Sequence, residues 1–261
     1  MIYDVYGNSM LSNDGATADE VSPSITDISD IGAKIISGEI HTISLIGDSI
    51  TDGGAGTGYN GSQSTALSTN TAGYCWANML KKYLAVKYGT IVTNYGQYGS
   101  VITQQYAQLG VTVPAGTDLV IWLTGTNNRN DSDGLTGYKN VLKKASTEIL
   151  EKAGNLILMN GITSSRGNEN QHNHSMQDIA NVVIPVAHEI GCKFVPMYNL
   201  FNEWLIDREL ITNISSYLDG YGIHPNDAGY EIMLKILLRG LGIPVAYYED
   251  LSVTGDYYPF T

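Results

Sequence analysis

The chain has 261 residues, of which 43% are apolar and 15% are charged, and these values exclude a long disordered or fibrous protein. The formal net charge is −12, which excludes nucleic acid and anionic membrane surfaces as the main partners. No apolar run approaches the ~18–20 residues of a membrane-spanning helix. The first residues have neither the basic start nor the apolar stretch of a signal peptide, so none is expected.

Five short apolar runs in the chain predict β-strands. The runs do not alternate cleanly between apolar and polar residues, which is typical of strands that are covered on both faces, as in parallel sheets. The predicted strands are His41–Gly47, Thr90–Tyr95, Asp118–Gly125, Asn155–Asn160 and Lys193–Tyr198.

Helical periodicity lies between these runs, and glycine follows each periodic segment as a stop signal. Pro185 predicts a kink in the third helix. The alternation of strands and helices predicts a doubly wound α/β domain with a parallel sheet, whose ligand site lies beyond the carboxyl ends of the strands. The predicted helices are Ala72–Tyr88, Tyr138–Ala153, Ser175–Ile190 and Asn226–Arg239.

Two terminal stretches fall outside this alternation. Residues 1–38 are polar and interrupted by Gly, Asn and Pro, and they are predicted to form an arm or connector. Residues 244–261 are short and rich in aromatic residues, and they are predicted to form a tail. A single domain over 39–243 remains. Its two cysteines, Cys75 and Cys192, lie in apolar contexts and are expected to be buried free thiols.

Polar motifs follow the first three predicted strands and precede the last helix, so they meet at one edge of the sheet. A serine hydroxyl such as that of Ser49 becomes a nucleophile when a base such as His224 removes its proton. The N–H groups of Ser49 and Gly99 and the amide of Asn127 can stabilise an oxyanion. Each residue by itself would be an ordinary turn residue. The motifs are GDSIT at 47–51, NYGQYG at 94–99, GTNN at 125–128 and IHP at 223–225.

In this order the motifs resemble the four sequence blocks of the SGNH hydrolase (GDSL esterase/lipase) superfamily, and the resemblance spans about Ile40 to Gly240. It implies a three-layer α/β/α flavodoxin-like fold with a five-stranded parallel sheet. It also implies ester hydrolysis through an acyl-enzyme, without a cofactor or metal. Ser49 would be the nucleophile and His224 the general base and acid. Ser49, Gly99 and Asn127 would be the oxyanion donors, and Asp48 would orient the turn.

The sequence departs from the family pattern at the catalytic acid. The family usually has Asp three residues before the histidine, where this chain has Tyr221. Asp219, five residues before His224, reaches the ring if two residues are inserted. The alternatives are a Ser–His dyad that uses a backbone carbonyl and a site that has lost activity. We favour Asp219, although Asp-Gly is also a common turn dipeptide. Asn128 stands where many members of the family have Asp.

Two further segments are candidates for contact with the substrate. The long connection Gly53–Thr71 contains a GxGxxG match at 56–61, but no helix follows it directly, so a rim loop is predicted rather than a phosphate site. Arg166, His172 and His174 follow the fourth strand, and they are predicted either to line the leaving-group side or to belong to a solvated loop. These residues supply too few ligands for a metal site.

Two functions of different class remain open at this point. The first is a serine esterase that hydrolyses short-chain (acetyl) esters, with a small ester or an acetylated glycan as substrate, because the loops near the site are rich in Asn, Ser, Tyr and Gly. The second is a non-catalytic carbohydrate-binding or structural module, which the missing acid motivates. The opening residues resemble those of phage-tail or cell-surface proteins, so an extracellular or surface location is suspected. The sequence does not fix the oligomeric state.

Overall fold

The computed structural model describes residues 27–208 and 211–244. In the described ranges a five-stranded sheet has the strand order β2-β1-β3-β4-β5, and every pair of neighbouring strands is parallel. This confirms the predicted α/β fold class. The strands are β1 (Thr42–Gly47), β2 (Ile91–Gly96), β3 (Leu119–Thr124), β4 (Leu156–Asn160) and β5 (Lys193–Val195).

Helices cover both faces of the sheet. Of these, α3, α6, α8 and α10 correspond to the four predicted helices. None of the described helices is long and apolar enough to cross a membrane. The helices are α1 (Ser29–Ser37), α2 (Ser49–Asp52), α3 (Trp76–Tyr88), α4 (Ile102–Ala107), α5 (Leu109–Thr112), α6 (Thr136–Ala153), α7 (Arg166–Glu169), α8 (Met176–Ile190), α9 (Met197–Asp207) and α10 (Asp227–Gly240), with 3-10 helices at Thr126–Asn130 and Ile211–Tyr217.

The central strand β3 shows why the apolar runs are continuous. Leu119, Ile121 and Leu123 belong to the core cluster that α1, α3, α9 and α10 cover. Val120 and Trp122 belong to the cluster on the opposite face, which α6 and α8 cover. Successive side chains of a strand point to opposite faces, so both sets must be apolar in a three-layer fold. The carboxyl ends of the strands are left as the edge at which the loops meet.

The structure corrects the predicted arm over residues 1–38 at its end. Ser29–Ser37 forms α1, and Ile28, Ile31 and Ile35 are buried in the core with it. The isoleucines have helical spacing, but they are embedded in a polar stretch, so the composition concealed them. Residues 1–26 and 245–261 lie outside the described residues, and their assignment as an arm and a tail remains a prediction.

The predicted fifth strand, Lys193–Tyr198, is too long. β5 ends at Val195, and α9 begins at Met197 after Pro196. Proline has no N–H to donate to a strand pair, and a short apolar run by itself does not distinguish a strand from a buried helix. Helix α8 continues through Pro185, which is exposed. Cys75 and Cys192 are buried and free, as expected.

Gly32 tests how α1 is attached to the domain, because a Cβ added at this position would lie 1.7 Å from the backbone oxygen of Leu241. We expect Gly32→Ala to lower the free energy of unfolding by about 1–3 kcal/mol, since overpacking forces the backbone to move. Urea unfolding measures this change. Gly110→Ala in α5 is the matched control, because nothing lies within 4 Å of its added Cβ. Equal losses in the two variants would contradict the contact between α1 and Leu241.

Candidate active site

Ser49 lies on a sharp turn between β1 and α2. Asp48 is the N-cap of α2, and its side chain accepts a hydrogen bond from the N–H of Ile50 at 2.9 Å. Burial raises the pKa of the Asp48 carboxyl. A Cβ at Gly47 would lie 2.1 Å from Thr51 Oγ1, and a Cβ at Gly96 would lie 2.2 Å from the nitrogen of Asp52. The turn therefore requires glycine at the ends of both β1 and β2.

The structure brings Ser49, His224 and Asp219 into one hydrogen-bonded chain. Ser49 Oγ lies 3.0 Å from His224 Nε2, and His224 Nδ1 lies 2.9 Å from Asp219 Oδ2. A carboxylate at Nδ1 places the ring proton on Nδ1 and leaves Nε2 to accept the serine proton. Ser49 is 3% exposed and His224 is 9% exposed. The arrangement has the geometry of a Ser-His-Asp triad.

The turn between Asp219 and His224 explains how a carboxylate five residues upstream reaches the ring. The N–H of Gly222 donates to the carbonyl of Asp219 at 2.9 Å, and the N–H of Asp219 donates to the carbonyl of His224 at 2.8 Å. Gly222 has φ +72°, in the left-handed region that favours glycine. The chain therefore folds back on itself, and the two extra residues form the tip of the turn.

Asp219 is ionised at neutral pH. Burial alone would raise the pKa of its carboxyl, but hydrogen bonds from the His224 ring and from the backbone N–H of Ile223 outweigh burial and lower it. The N–H groups of Ile223 and His224 donate to Asp219 Oδ1 at 3.1 and 3.3 Å. The second carboxylate oxygen is left for the imidazole.

Besides the N–H of Ser49, the candidate oxyanion donors lie in the turn after β2 and in the 3-10 helix after β3. The N–H of Gln97 donates to the carbonyl of Gly47 at 2.9 Å, which holds the turn that contains Gly99 against the end of β1. Asn127 Nδ2 donates to the carbonyl of Ser100 at 2.9 Å. This bond uses one amide hydrogen, and the second is available to an oxyanion. Among the hydrogen bonds of the described residues, none uses the N–H of Ser49 or Gly99.

The hydrogen bonds of Asn128 account for an asparagine at the position where many members of the family have aspartate. Its Oδ1 accepts from the N–H of Ile102 at the start of α4, at 3.0 Å. Its Nδ2 donates to Asp131 Oδ2 at 2.9 Å. An aspartate at this position would lose the second bond and would face another carboxylate.

Arg129 is the main residue of the site region that sequence reasoning missed. It is 0% exposed, and its guanidinium donates to the carbonyl of Thr126, to Ser164 Oγ and to Asn168 Oδ1, at 2.9, 3.0 and 3.0 Å. Glu169 supplies a carboxylate at 3.6 Å. Because no periodicity or motif marks it, an arginine in a polar loop carries no sequence signal for burial.

The Arg129 network connects the segment that contains Asn127 to the turn that contains Asp219 and His224. Arg129 shares the 3-10 helix Thr126–Asn130 with Asn127. The loop that it binds is also bound to the turn, because the N–H of Ser165 donates to the carbonyl of Gly222 at 2.8 Å. The segments after β3 and β4 therefore support the Asp219–His224 turn together.

The predicted substrate residues after β4 have mixed surroundings. His174 Nε2 contacts the carbonyl of Asp131 at 3.1 Å, and its N–H donates to the carbonyl of Arg129 at 2.9 Å. His172 Nδ1 contacts the carbonyl of Asn168 at 2.8 Å. Both histidines hold the loop together, whereas Arg166 is exposed on α7. No group of three or more potential metal ligands occurs within the described ranges.

The long connection after α2 borders the histidine. A Cβ at Gly54 would lie 3.2 Å from His224 Cδ2, and the carbonyl of Gly54 accepts from Tyr230 OH at 2.7 Å. Side chains close the base of the loop, since Asn70 Nδ2 donates to the carbonyl of Asp52 at 2.6 Å and Asn60 Oδ1 accepts from the N–H of Thr71 at 2.9 Å. No helix follows the GxGxxG match directly.

Comparison with known families agrees with this geometry. The sequence matches the profile of the GDSL-like Lipase/Acylhydrolase family over residues 45–232, which is more than half of the chain and includes all four motifs. The chain therefore belongs to this family and is a carboxylic-ester hydrolase. This confirms the family resemblance that the sequence motifs indicated.

Solved structures of esterases and hydrolases have the same fold. Axe2, an acetylxylan esterase from Geobacillus stearothermophilus, is 22% identical with a TM-score of 0.60, and the match covers 78% of this chain and 95% of that one. LAE5, an alpha/beta hydrolase enzyme from the metagenome of Lake Arreo, Spain, is 22% identical with a TM-score of 0.57 and the same coverage, 78% and 95%. At this identity the likeness shows the fold alone. No curated protein matches the sequence significantly.

The buried pair between Arg129 and Glu169 predicts a large effect of a small substitution. Glu169→Gln removes a carboxylate that lies 3.6 Å from the buried guanidinium of Arg129, so we expect the free energy of unfolding to fall by about 3–5 kcal/mol. Chemical denaturation measures the loss. Glu189→Gln is the matched control, because Glu189 is 57% exposed where it pairs with Lys143, and its loss should be at most ~1 kcal/mol. A loss at Glu169 as small as that at Glu189 would show that the pair does not hold the loop.

Proposed function

We propose that the protein is a serine esterase that removes acetyl groups from carbohydrate. Ser49 is the nucleophile, His224 the general base and acid, and Asp219 the residue that orients the imidazole. The observation that carries this proposal is the continuous chain of hydrogen bonds, 3.0 Å from Ser49 to His224 and 2.9 Å from His224 to Asp219. The hydroxyl of Ser49 thus has a base, and the imidazole of His224 has a carboxylate that orients it, as nucleophilic catalysis requires.

The proposed reaction has two halves. In the first, Ser49 Oγ attacks the ester carbonyl carbon while His224 Nε2 takes the hydroxyl proton, and Asp219 stabilises the imidazolium that forms. The tetrahedral oxyanion accepts hydrogen bonds from the N–H groups of Ser49 and Gly99 and from the Asn127 amide. When the C–O bond breaks, His224 returns the proton to the leaving alkoxide, and the acetyl group stays on Ser49.

The second half regenerates the enzyme. A water molecule enters in place of the alcohol, and His224 takes its proton as it attacks the acetyl carbonyl. The same donors stabilise the second oxyanion. The bond to Ser49 Oγ then breaks, the serine recovers its proton from His224, and acetate leaves.

The choice of an acetylated carbohydrate has two sources of support. Axe2 is described as an acetylxylan esterase, and catalytic mutants of it replace a serine, a histidine and an aspartate by alanine. In this chain the loop beside His224 is polar, with exposed residues such as Asn60, Ser62 and Thr71. Amide and hydroxyl groups suit sugar hydroxyls better than they suit a long acyl chain.

The alternative function, a non-catalytic module on the same fold, was motivated by Tyr221 at the usual position of the acid. A non-catalytic module would have no carboxylate beside His224 Nδ1. Because Asp219 supplies one, the esterase is favoured. The opening residues that suggested a phage-tail or cell-surface location lie in residues 1–26, outside the described ranges. That location remains a prediction.

A chain-length series tests the nucleophile and the acyl group together. We expect hydrolysis of p-nitrophenyl acetate to exceed that of the butyrate and octanoate esters. We expect Ser49→Ala to lower kcat by roughly 10³-fold or more, because no other group replaces the nucleophile. Ser37→Ala in α1 is the control for serine removal. Undiminished turnover in Ser49→Ala would reject the nucleophile, and a preference for octanoate would reject the acetyl assignment.

The role of Asp219 separates the triad from the Ser–His dyad. In Asp219→Asn the amide oxygen can still accept from the backbone, but the amide nitrogen would face His224 Nδ1 and favour the wrong tautomer. We expect kcat to fall roughly 10³–10⁴-fold with little change in KM. Steady-state kinetics with p-nitrophenyl acetate measure both constants. The control is Asp207→Asn, an exposed carboxylate at the end of α9. An unchanged kcat would favour the dyad.

A further inference from the structure

Tyrosine side chains that the proposed reaction does not use lie beside the catalytic histidine. The ring centroid of Tyr98 is 5.5 Å from that of His224, and the ring centroid of Tyr59 is 6.2 Å from that of Tyr98. Tyr221 lies in the turn between Asp219 and His224, and it is 84% exposed. Large apolar surfaces are usually covered unless they bind something.

Each tyrosine lies in, or is bonded to, a segment that forms the site. Tyr98 precedes Gly99 in the turn attached to β1, and the hydroxyl of Tyr59 donates to the buried carboxylate of Asp52. The carbonyl of Tyr221 lies 3.5 Å from Asn168 Nδ2, and the carbonyl of the next residue, Gly222, accepts from the N–H of Ser165 at 2.8 Å. Tyr221 lies two residues from Asp219 and three residues from His224 along one turn, and the ring of that histidine lies 5.5 Å from the ring of Tyr98.

The hydroxyl groups of Tyr98 and Tyr221 are available to a ligand. In the described part of the chain no hydrogen bond uses either of them, whereas the hydroxyl of Tyr59 is taken by Asp52. Tyrosine presents an apolar ring face and a polar tip. The group therefore offers ring faces for stacking and two hydroxyls for hydrogen bonding.

The chemistry of the proposed reaction identifies which part of the substrate meets these rings. His224 must protonate the leaving alkoxide, so the alcohol has to lie next to the imidazole. The acyl oxygen has to lie at the N–H of Gly99 and the amide of Asn127. Because the ring centroid of Tyr98 lies 5.5 Å from that of His224, an alcohol next to the imidazole is within reach of Tyr98.

We propose that Tyr98, Tyr59 and Tyr221 form the subsite for a neutral pyranose ring that carries the acetyl ester, with Tyr221 as the residue that selects it. A pyranose has C–H groups on its face and hydroxyls at its edge, which matches ring faces and phenol hydroxyls. The net charge of −12 disfavours anionic alcohols. This inference rests on the proposed esterase function and assigns the side of the site that takes the sugar.

The sequence position of Tyr221 adds a second role to the extended turn. The two residues that separate this turn from the usual family spacing allow Asp219 to reach His224 around Gly222. They also place an aromatic ring at the tip of the turn, in solvent. One local change in the chain thus supplies both the geometry of the acid and a surface for the alcohol.

Two acetyl esters with different alcohols test the subsite. Methyl β-xyloside triacetate carries acetyl groups on a pyranose ring, and glyceryl triacetate carries them on an acyclic alcohol. A p-nitrophenyl ester is avoided because its own aromatic ring can stack on tyrosine. The quantity measured is the ratio of kcat/KM for the xyloside to kcat/KM for the glyceride, which cancels effects on the acyl transfer itself.

We expect Tyr221→Ala to lower this ratio roughly 2- to 10-fold, the range of a single aromatic contact, mainly through KM for the xyloside. Tyr221→Phe should retain most of the ratio, because it keeps the ring face. Tyr98→Leu should also lower the ratio, since it removes a ring but keeps apolar bulk. Val86→Ala, an exposed residue of α3, is the control, and circular dichroism checks that each variant is folded.

Two results would overturn the inference, and they are distinguishable. If Ser49-dependent hydrolysis of both esters persists while the ratio stays constant in Tyr221→Ala and Tyr98→Leu, the sugar subsite is wrong and the esterase assignment stands. If neither ester is hydrolysed in a Ser49-dependent way, the proposed function fails, and the subsite fails with it.

Discussion

The hydrogen bond between Asp219 and His224 is the interaction on which the arrangement of the site depends. It sets the tautomer of the imidazole, and so it decides whether Nε2 can accept the proton of Ser49. The bond forms only because the chain folds back at Gly222, whose positive φ allows the tight return. The same carboxylate accepts hydrogen bonds from backbone N–H groups of its own turn, so its orientation does not depend on the imidazole alone.

The turn does not stand alone, because the loop after β4 supports it and further hydrogen bonds connect the other segments of the site. The loop after β4 contacts it through Ser165, and Arg129 ties that loop to the 3-10 helix that contains Asn127. The turn after β2 is attached to the end of β1 by the bond between Gln97 and Gly47. The proposed nucleophile, oxyanion donors and base therefore lie on segments that are linked to one another at the edge of the sheet. Such linkage favours catalysis by groups that are already in place.

The extended turn also bears on specificity. It carries Tyr221 into solvent between Asp219 and His224, and the proposed subsite uses this exposed ring to bind the sugar alcohol. A site built in this way would discriminate through the alcohol more than through the acyl group, which is the pattern expected of an enzyme that removes a small, uniform acyl group from a larger carbohydrate.

The sequence by itself determined the parallel sheet, the four main helices and the positions of Ser49, Gly99, Asn127 and His224, because buried strands, helical periodicity and short motifs are local patterns. The sequence did not indicate α1 or the burial of Arg129, because the burial of a short or polar segment depends on what packs against it. The predicted fifth strand was also too long, since β5 ends at Val195. The sequence favoured Asp219 as the acid but left a Ser–His dyad and an inactive site open as alternatives. Which carboxylate reaches His224 was decided only in the tertiary structure, because that contact depends on the path of a turn. The positive φ of Gly222, the hydrogen bonds within the turn and the bond from the N–H of Ser165 to the carbonyl of Gly222 set this path together.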